Sequence, residues 1–107
     1  MRWAFRTLNA AVDAEIKALP ADLQARFLRF GDIIEQVGFS GLARDAVKHL
    51  EGKLWELRMT GRDGIARAIY VTTAGRVVVV VRVFIKKTQK TPRRELEIAR
   101  QRAKEIA

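Results

Sequence analysis

Apolar side chains in the first half of the chain recur with helical spacing. Leu23, Phe27, Phe30, Ile34 and Val37 follow one another at intervals of four and three residues. This spacing places them on one face of a helix and predicts a long amphipathic segment. A glycine follows the last of them at residue 38, as a helix end with a left-handed residue requires.

A shorter helix is predicted ahead of the long one. Val12, Ile16 and Leu19 form its apolar stripe, and Asn9 is placed to cap its first turn. Pro20 interrupts this helix and suits an early position of the next one. We therefore expect an antiparallel helical hairpin with one shared apolar face.

Period-two alternation replaces the helical spacing elsewhere. Residues 2–8 alternate over a short stretch that predicts an edge strand. Residues 54–59, 65–72 and 77–85 predict three further strands, joined by turns rich in glycine. The unbroken valines that begin the last of these strands indicate burial on both faces, and so a central position in the sheet.

A final helix is predicted after the last strand. Thr91 is placed to cap it, with Pro92 in its first position. Its apolar stripe is narrow and consists of Leu96, Ala99, Ala103 and Ile106. We expect this helix to dock weakly on the sheet, or to need a partner protein that completes its packing.

The order β–α–α–β–β–β–α predicts one α+β domain over residues 1–107, with helices on one face of a small antiparallel sheet. Absence of cysteine excludes disulfides, and a single histidine is too few for an imidazole-built zinc site. We expect neither a metal nor another cofactor.

No signal peptide or membrane-spanning run is visible, so we expect a cytoplasmic protein without a membrane partner.

The net charge of +9 is concentrated in one segment. Residues 53–94 hold eleven Lys and Arg side chains against two acidic ones, whereas residues 1–52 and 95–107 are each neutral. A charge placed in this way suggests a polyanion partner, most often a nucleic acid. The alternative is a solvated basic surface that maintains solubility.

The basic residues could converge on one face of the predicted sheet. Arg58 and Arg67 lie on neighbouring predicted strands, and Lys86, Lys87 and Lys90 follow the central one. Guanidinium groups aimed at a phosphodiester would stabilise the negative charge of its transition state. RNA supplies its own nucleophile, the 2′-hydroxyl, so such a site needs only in-line positioning and a group for proton transfer.

The histidine and three aromatic residues each have a functional and a structural interpretation. His49 could be a general base or a phosphate contact, or a structural histidine with satisfied ring nitrogens. Tyr70, the only tyrosine, could contact RNA, and Trp55 and Phe84 could stack on bases. Alternatively, all three aromatic residues belong to the core.

Three segments together resemble a known family. They are Leu-Trp-Glu-Leu-Arg at residues 54–58, Arg-Ala-Ile-Tyr at residues 67–70, and Phe-Ile-Lys-Lys-Thr-Gln-Lys-Thr-Pro-Arg-Arg-Glu at residues 84–95. They resemble the phage-derived, HigB-like branch of the RelE/ParE toxin superfamily. The resemblance implies a RelE-like fold and a type II toxin–antitoxin toxin that cleaves messenger RNA on the ribosome without a metal. It also implies a helix-turn-helix antitoxin as partner, and contact with operator DNA only through the antitoxin complex.

The resemblance also implies roles for individual residues. Arg67 resembles the phosphate-stabilising arginine, Arg58 a basic residue of the same sheet face, and Lys87 the basic residue after the last strand. Glu56 stands where RelE proteins often have a basic residue, and no tyrosine follows the last strand, so Lys87 or His49 would have to transfer the proton. The remaining residues expected to bind RNA are Lys53, Lys86, Lys90, Arg93, Arg94 and Tyr70.

Two other functions fit the same residues. A ParE-like protein that inhibits DNA gyrase would share the fold without needing nuclease residues. A non-catalytic module that binds RNA or the ribosome would use the same basic surface, and its affinity would fall steeply with salt.

Overall fold

A computed structural model describes residues 2–86 and 90–106. The strands are β1 (Ala4–Thr7), β2 (Val47–Glu51), β3 (Leu54–Thr60), β4 (Ile65–Thr73) and β5 (Val77–Lys86), and the helices are α1 (Ala10–Lys17), α2 (Ala21–Val37) and α3 (Arg93–Ala103). Two short 3₁₀ turns, Phe39–Gly41 and Arg44–Ala46, lie between α2 and β2. None of the helices in the described ranges is long and apolar enough to cross a membrane.

The strands form one sheet in the order β1-β5-β4-β3-β2. The predicted α+β class and the central position of β5 are confirmed, but the sheet is mixed because β1 runs parallel to β5. Hydrophobic alternation carries no information on strand direction, so the expectation of a wholly antiparallel sheet was wrong. Strand β2 was not predicted either, since it lies at the sheet edge with Lys48 and His49 exposed.

The helical hairpin covers one face of the sheet, which we call the hairpin face. The predicted cap is confirmed, because the Asn9 side chain accepts a hydrogen bond of 3.1 Å from the backbone N–H of Val12. The long helix ends at Gly38, whose φ of +81° lies in the region that glycine adopts most readily. Buried apolar residues of α1, α2, β3, β4 and β5 form the core on this side.

The predicted stripe of α2 is confirmed except at its end. Leu23, Phe27 and Ile34 are buried, whereas Val37 is 62% exposed. Val37 instead packs beside the first 3₁₀ turn, where a Cβ built on Gly41 would lie 2.5 Å from the Val37 side chain. The apolar stripe therefore points toward the core for most of the helix and toward its own following turn at the end.

The C-terminal helix docks on the opposite face of the sheet, which we call the α3 face. Ala99 is fully buried there, and Leu96, Ala103 and Ile106 pack around a second core with residues of β3, β4 and β5. The expectation that all helices share one face was therefore wrong, although the predicted stripe of α3 is confirmed. Burial of alternate residues on both faces explains the continuous apolar run of β5.

Ion pairs fix α3 and α1 to the open edge of β5. Strand β1 pairs with β5 only as far as Val80, so the backbone beyond it needs other partners. Glu15 of α1 accepts a 3.0 Å hydrogen bond from the N–H of Val83, and Arg102 of α3 donates one of 2.9 Å to the carbonyl of Val81. Glu15 also pairs with Arg102 and Arg82 at 2.8 and 2.6 Å.

Arg82 completes this network by pairing with Glu95 of α3 at 2.5 Å. The four side chains bring two carboxylates and two guanidinium groups together between α1, β5 and α3, so the network carries no excess charge. Docking of α3 is therefore stronger than its narrow apolar stripe predicts.

We expect Glu15→Gln to lower the free energy of unfolding by roughly 1–3 kcal/mol at pH 7, since it removes charge-assisted hydrogen bonds to Arg82 and Arg102. Burial alone would raise the pKa of Glu15, but the hydrogen bonds from Arg102 and Val83 and the charge of Arg82 bring it below its ordinary value of 4.5. The carboxylate therefore stabilises the fold above the unfolded pKa, and this contribution is lost as the pH falls through the folded pKa.

Urea unfolding of both proteins at pH 7 and pH 3 measures this effect. The difference between wild type and variant should shrink at pH 3. Glu97→Gln, at an exposed position of α3, serves as the control and should leave stability nearly unchanged. A difference that stays constant with pH would contradict the assignment to Glu15.

Candidate functional site

Three charged side chains are buried on the α3 face of the sheet. Glu56 of β3 is completely buried, Arg67 of β4 is 2% exposed, and Lys86 at the end of β5 is 7% exposed. The three strands are neighbours, so the side chains come from adjacent positions across the sheet. Charged groups are almost never buried unless they are paired, so these side chains need partners inside the fold.

Glu56 holds two partners, one on each carboxylate oxygen. Nη1 of Arg67 donates to Oε2 of Glu56 in a short ion pair. The hydroxyl of Thr91 donates to Oε1 at 2.9 Å. Thr91 was expected to cap α3, and this was wrong: the N-cap residue is Pro92, and no side chain caps the helix.

Arg58 and Lys48 add two further cations near the pair. Arg58 lies directly opposite Arg67 in the β3–β4 register, and Lys48 lies opposite Glu56 in the β2–β3 register. Burial lowers the pKa of Arg67, the charge of Glu56 opposes this, and the charge of Arg58 lowers it further. Since a guanidinium stays protonated in proteins, the lowered pKa reports burial of the charge beside a second cation, not loss of charge.

Lys86 shares this environment. Burial lowers its pKa, and the charges of Arg67, Arg58 and Lys48 lower it as well, while Glu56 opposes them. All four cations thus lie close enough to interact, and Glu56 is the one carboxylate among the described residues that acts on Arg67 and Lys86. Such a group can bind a phosphodiester, and an amine with a lowered pKa is suited to accept or donate a proton. We call Lys48, Glu56, Arg58, Arg67 and Lys86 the cationic cluster.

Two donors in the cluster have no hydrogen-bond partner within the described part of the chain. They are Nε of Arg58 and Nε of Arg67, and both atoms are buried. Buried N–H donors normally have a hydrogen-bond partner. Two neighbouring donors without one mark a place where a ligand oxygen could accept a hydrogen bond.

His49 and Tyr70 lie on the hairpin face, away from the cationic cluster. Tyr70 is 2% exposed, stacks on Phe39 with ring centroids 5.5 Å apart, and burial raises its pKa. The His49 ring lies 4.9 Å from that of Trp55, and its Nε2 is 2.9 Å from the carbonyl oxygen of Gly52. The sequence contained a signal for this, because Tyr70 follows Arg67 by an odd number of strand positions and so points to the other face.

The two remaining aromatic residues, Phe84 and Trp55, differ in their burial. Phe84 is 8% exposed and belongs to the core beneath α3. Trp55 is 38% exposed on the hairpin face, beside His49. Neither side chain belongs to the cationic cluster.

The other basic residues that the sequence predicted to bind RNA lie at exposed positions. Lys53 lies in the β2–β3 turn, Lys90 lies just before α3, and Arg93 and Arg94 lie in the first turn of α3. Lys87 lies outside the described residues. Over residues 2–86 and 90–106, no group of three or more His, Asp or Glu side chains could hold a metal ion; the expectation of a reaction without cofactor stays a prediction.

Comparison with known proteins identifies the family. The family described as "Phage derived protein Gp49-like (DUF891)" matches residues 14–104. The chain belongs to the Gp49-like family. This is a family of RelE/HigB-type toxins, so the resemblance noted in the sequence is confirmed and the chain is a toxin of the toxin–antitoxin type. No curated protein matches the chain significantly.

A solved structure shares the fold of this Gp49-like protein. It is the archaeal RelE–RelB complex from Pyrococcus horikoshii OT3, with 22% sequence identity and a TM-score of 0.55. The match covers 79% of this chain and 96% of that one. The expected RelE-like fold is therefore confirmed.

We expect Arg67→Met to lower the free energy of unfolding by about 3–5 kcal/mol, since it leaves the buried carboxylate of Glu56 without its ionic partner. The double variant Glu56→Leu/Arg67→Met should regain most of this loss, because no buried charge of the pair remains. Urea unfolding of the two single variants and the double variant measures the coupling. Additive losses would show that the two side chains do not pair in solution.

Proposed function

We propose that this Gp49-like protein is an endoribonuclease that cleaves messenger RNA on the ribosome. The observation that carries the proposal is the cationic cluster, in which, among the described residues, four cations on one sheet face interact with the single carboxylate of Glu56. Two of these cations, Arg67 and Lys86, are buried. Folding alone does not favour such an excess of positive charge, whereas binding of a phosphodiester would neutralise it.

The cluster has groups for phosphate binding and for proton uptake in an RNA transesterification. Attack of the 2′-oxygen forms the O2′–P bond and breaks the P–O5′ bond, giving a 2′,3′-cyclic phosphate and a 5′-hydroxyl. Arg58, which is less buried than Arg67, would bind the phosphate and stabilise its added negative charge. Lys86, as a neutral amine, would take up the proton of the 2′-hydroxyl, and water would donate a proton to the leaving 5′-oxygen.

Arg67 contributes to this site from beneath its surface. Arg67 is 2% exposed and is paired with Glu56. Its Nε is buried and has no hydrogen-bond partner among the described residues. We infer that its charge reinforces Arg58 and keeps the pKa of Lys86 low. This role differs from the direct phosphate contact that the resemblance implied.

Exposed basic residues extend the proposed RNA-binding surface. We infer that the exposed side chains of Lys53, Lys90, Arg93 and Arg94 contact backbone phosphates away from the reacting one. Trp55 and His49 lie on the other face, so stacking of bases on them is not part of this proposal.

We propose further that an antitoxin binds this chain. The RelE-fold structure that matches it was solved as a RelE–RelB complex, and this supports a partner for the Gp49-like protein. An antitoxin that covered the cationic cluster would block RNA. A helix-turn-helix antitoxin, contact with operator DNA only through that complex, and action in the cytoplasm complete the proposal.

We expect Arg58→Gln to reduce cleavage of mRNA on translating ribosomes by about 10²-fold, since it removes a donor for the transition-state phosphate. The variant should stay folded because Arg58 is not paired with Glu56 and its Nε has no partner among the described groups. Arg29→Gln, on the exposed side of α2, is the matched control with the same change of charge.

Mapping of mRNA 5′ ends after brief induction distinguishes the possible results. New ends within codons for wild type and Arg29→Gln, and few for Arg58→Gln, support the proposal. Filamentous growth and DNA damage with intact mRNA would instead indicate gyrase inhibition. Ribosome binding without new ends, at equal expression, would indicate a non-catalytic binding module.

A further inference from the structure

Thr91 breaks a local rule at the start of α3. A threonine beside a helix start is normally engaged as the N-cap, where its oxygen accepts a hydrogen bond from the first turn. Here the N-cap residue is Pro92, no side chain caps the helix, and the Thr91 hydroxyl donates to Glu56 instead. Departures of this kind concentrate at functional sites.

The recipient of this hydrogen bond cannot itself reach a substrate. Glu56 is completely buried, and both of its carboxylate oxygens are engaged, one by Arg67 and one by Thr91. Its action on a bound phosphodiester must therefore pass through the side chains that it holds. The most direct of these is Arg67, which lies opposite Arg58 in the sheet.

Loss of the Thr91 hydroxyl would free the Glu56 carboxylate to rotate. The oxygen that Thr91 engages would be buried without a partner, and the carboxylate would gain from turning toward another donor. Arg67 and the neighbouring Lys86 respond electrostatically to Glu56, so a displaced carboxylate changes the environment of both. The site depends on placement of these charges to a fraction of an ångström.

We propose that Thr91 is a positioning residue of the RNA-cleavage site: its hydroxyl fixes Glu56, and Glu56 fixes Arg67 in the orientation that the reaction requires. This inference rests on the proposed function, which it deepens by assigning Thr91, just before α3, to the site. Thr91 touches neither the reacting phosphate nor the 2′-hydroxyl in this assignment.

The kinetic test compares Thr91→Val, Thr91→Ser and a control, Thr73→Val, whose hydroxyl lies at the far end of β4. Single-turnover cleavage of mRNA on purified translating ribosomes gives the rate constant at saturation and the half-saturating concentration separately. Thr91→Val should lower the rate constant about 10-fold with little change in half-saturation. Thr91→Ser keeps the hydroxyl and should stay within about threefold of wild type, as should Thr73→Val.

Side-chain NMR of ¹⁵N-labelled arginine gives a readout that does not depend on cleavage. The paired guanidinium of Arg67 should give slowly exchanging N–H signals in wild type and Thr91→Ser, and shifted or broadened signals in Thr91→Val. Should Thr91→Val not fold, Thr91→Ala, which leaves room for water at the hydroxyl position, takes its place in both measurements.

The two measurements separate failure of this inference from failure of the proposed function. Unchanged arginine signals in Thr91→Val, or a rate constant equal to wild type, would overturn the role of Thr91. Equal losses in Thr91→Val and Thr91→Ser would also overturn it, because a hydroxyl role predicts rescue. Wild-type protein that cleaves no RNA would overturn the proposed function, while the NMR spectra would still decide whether Thr91 holds the ion pair.

Discussion

The buried ion pair between Glu56 and Arg67 constrains the whole α3 face of the sheet. A carboxylate with no exposure is tolerable only when both oxygens are satisfied, and this requires a guanidinium from β4 and a hydroxyl from the segment before α3. The pair therefore ties the segment just before α3, at Thr91, to the interior of the sheet. It also places Arg58 opposite an arginine that is already engaged by a carboxylate.

A second group of charges has the opposite character. Glu15, Glu95, Arg82 and Arg102 balance one another, and they satisfy backbone groups of β5 that β1 leaves open. Each member has a structural partner, and burial there is only partial. The two groups differ in charge balance: the balanced network fixes helices to a strand edge, whereas the cationic cluster, which we propose binds RNA, has an excess of positive charge among the described residues.

Local patterns predicted much of the fold. Helical spacing located α2, Asn9 was predicted as the cap of α1, and the run of valines predicted that β5 is not an edge strand. What they could not predict was long-range geometry, such as the parallel direction of β1 and the docking of α3 on its own face. Strand β2 was missed because an exposed edge strand needs no apolar alternation.

The predictions for the site divide in the same way. The clustering of Arg58 and Arg67 follows from hairpin pairing and was predictable from the sequence. Burial of Arg67 against Glu56 was not, because no local pattern shows which charges will share a partner. Strand parity alone would have removed Tyr70 from the site, since residues an odd number apart point to opposite faces of a regular strand.

Lys86 lies on a face of the sheet that simple alternation along β5 does not predict. Counted from Val80, an even number of positions should place Lys86 on the hairpin face with Val80 itself. The register between β4 and β5 shifts there, because Tyr70 pairs with Val80 while Ile69 pairs with Arg82. This bulge inserts one residue and reverses the alternation, so that Lys86 shares the α3 face with Arg67. One extra backbone position thus adds an amine to the cationic cluster, and β-bulges are over-represented beside active sites in general.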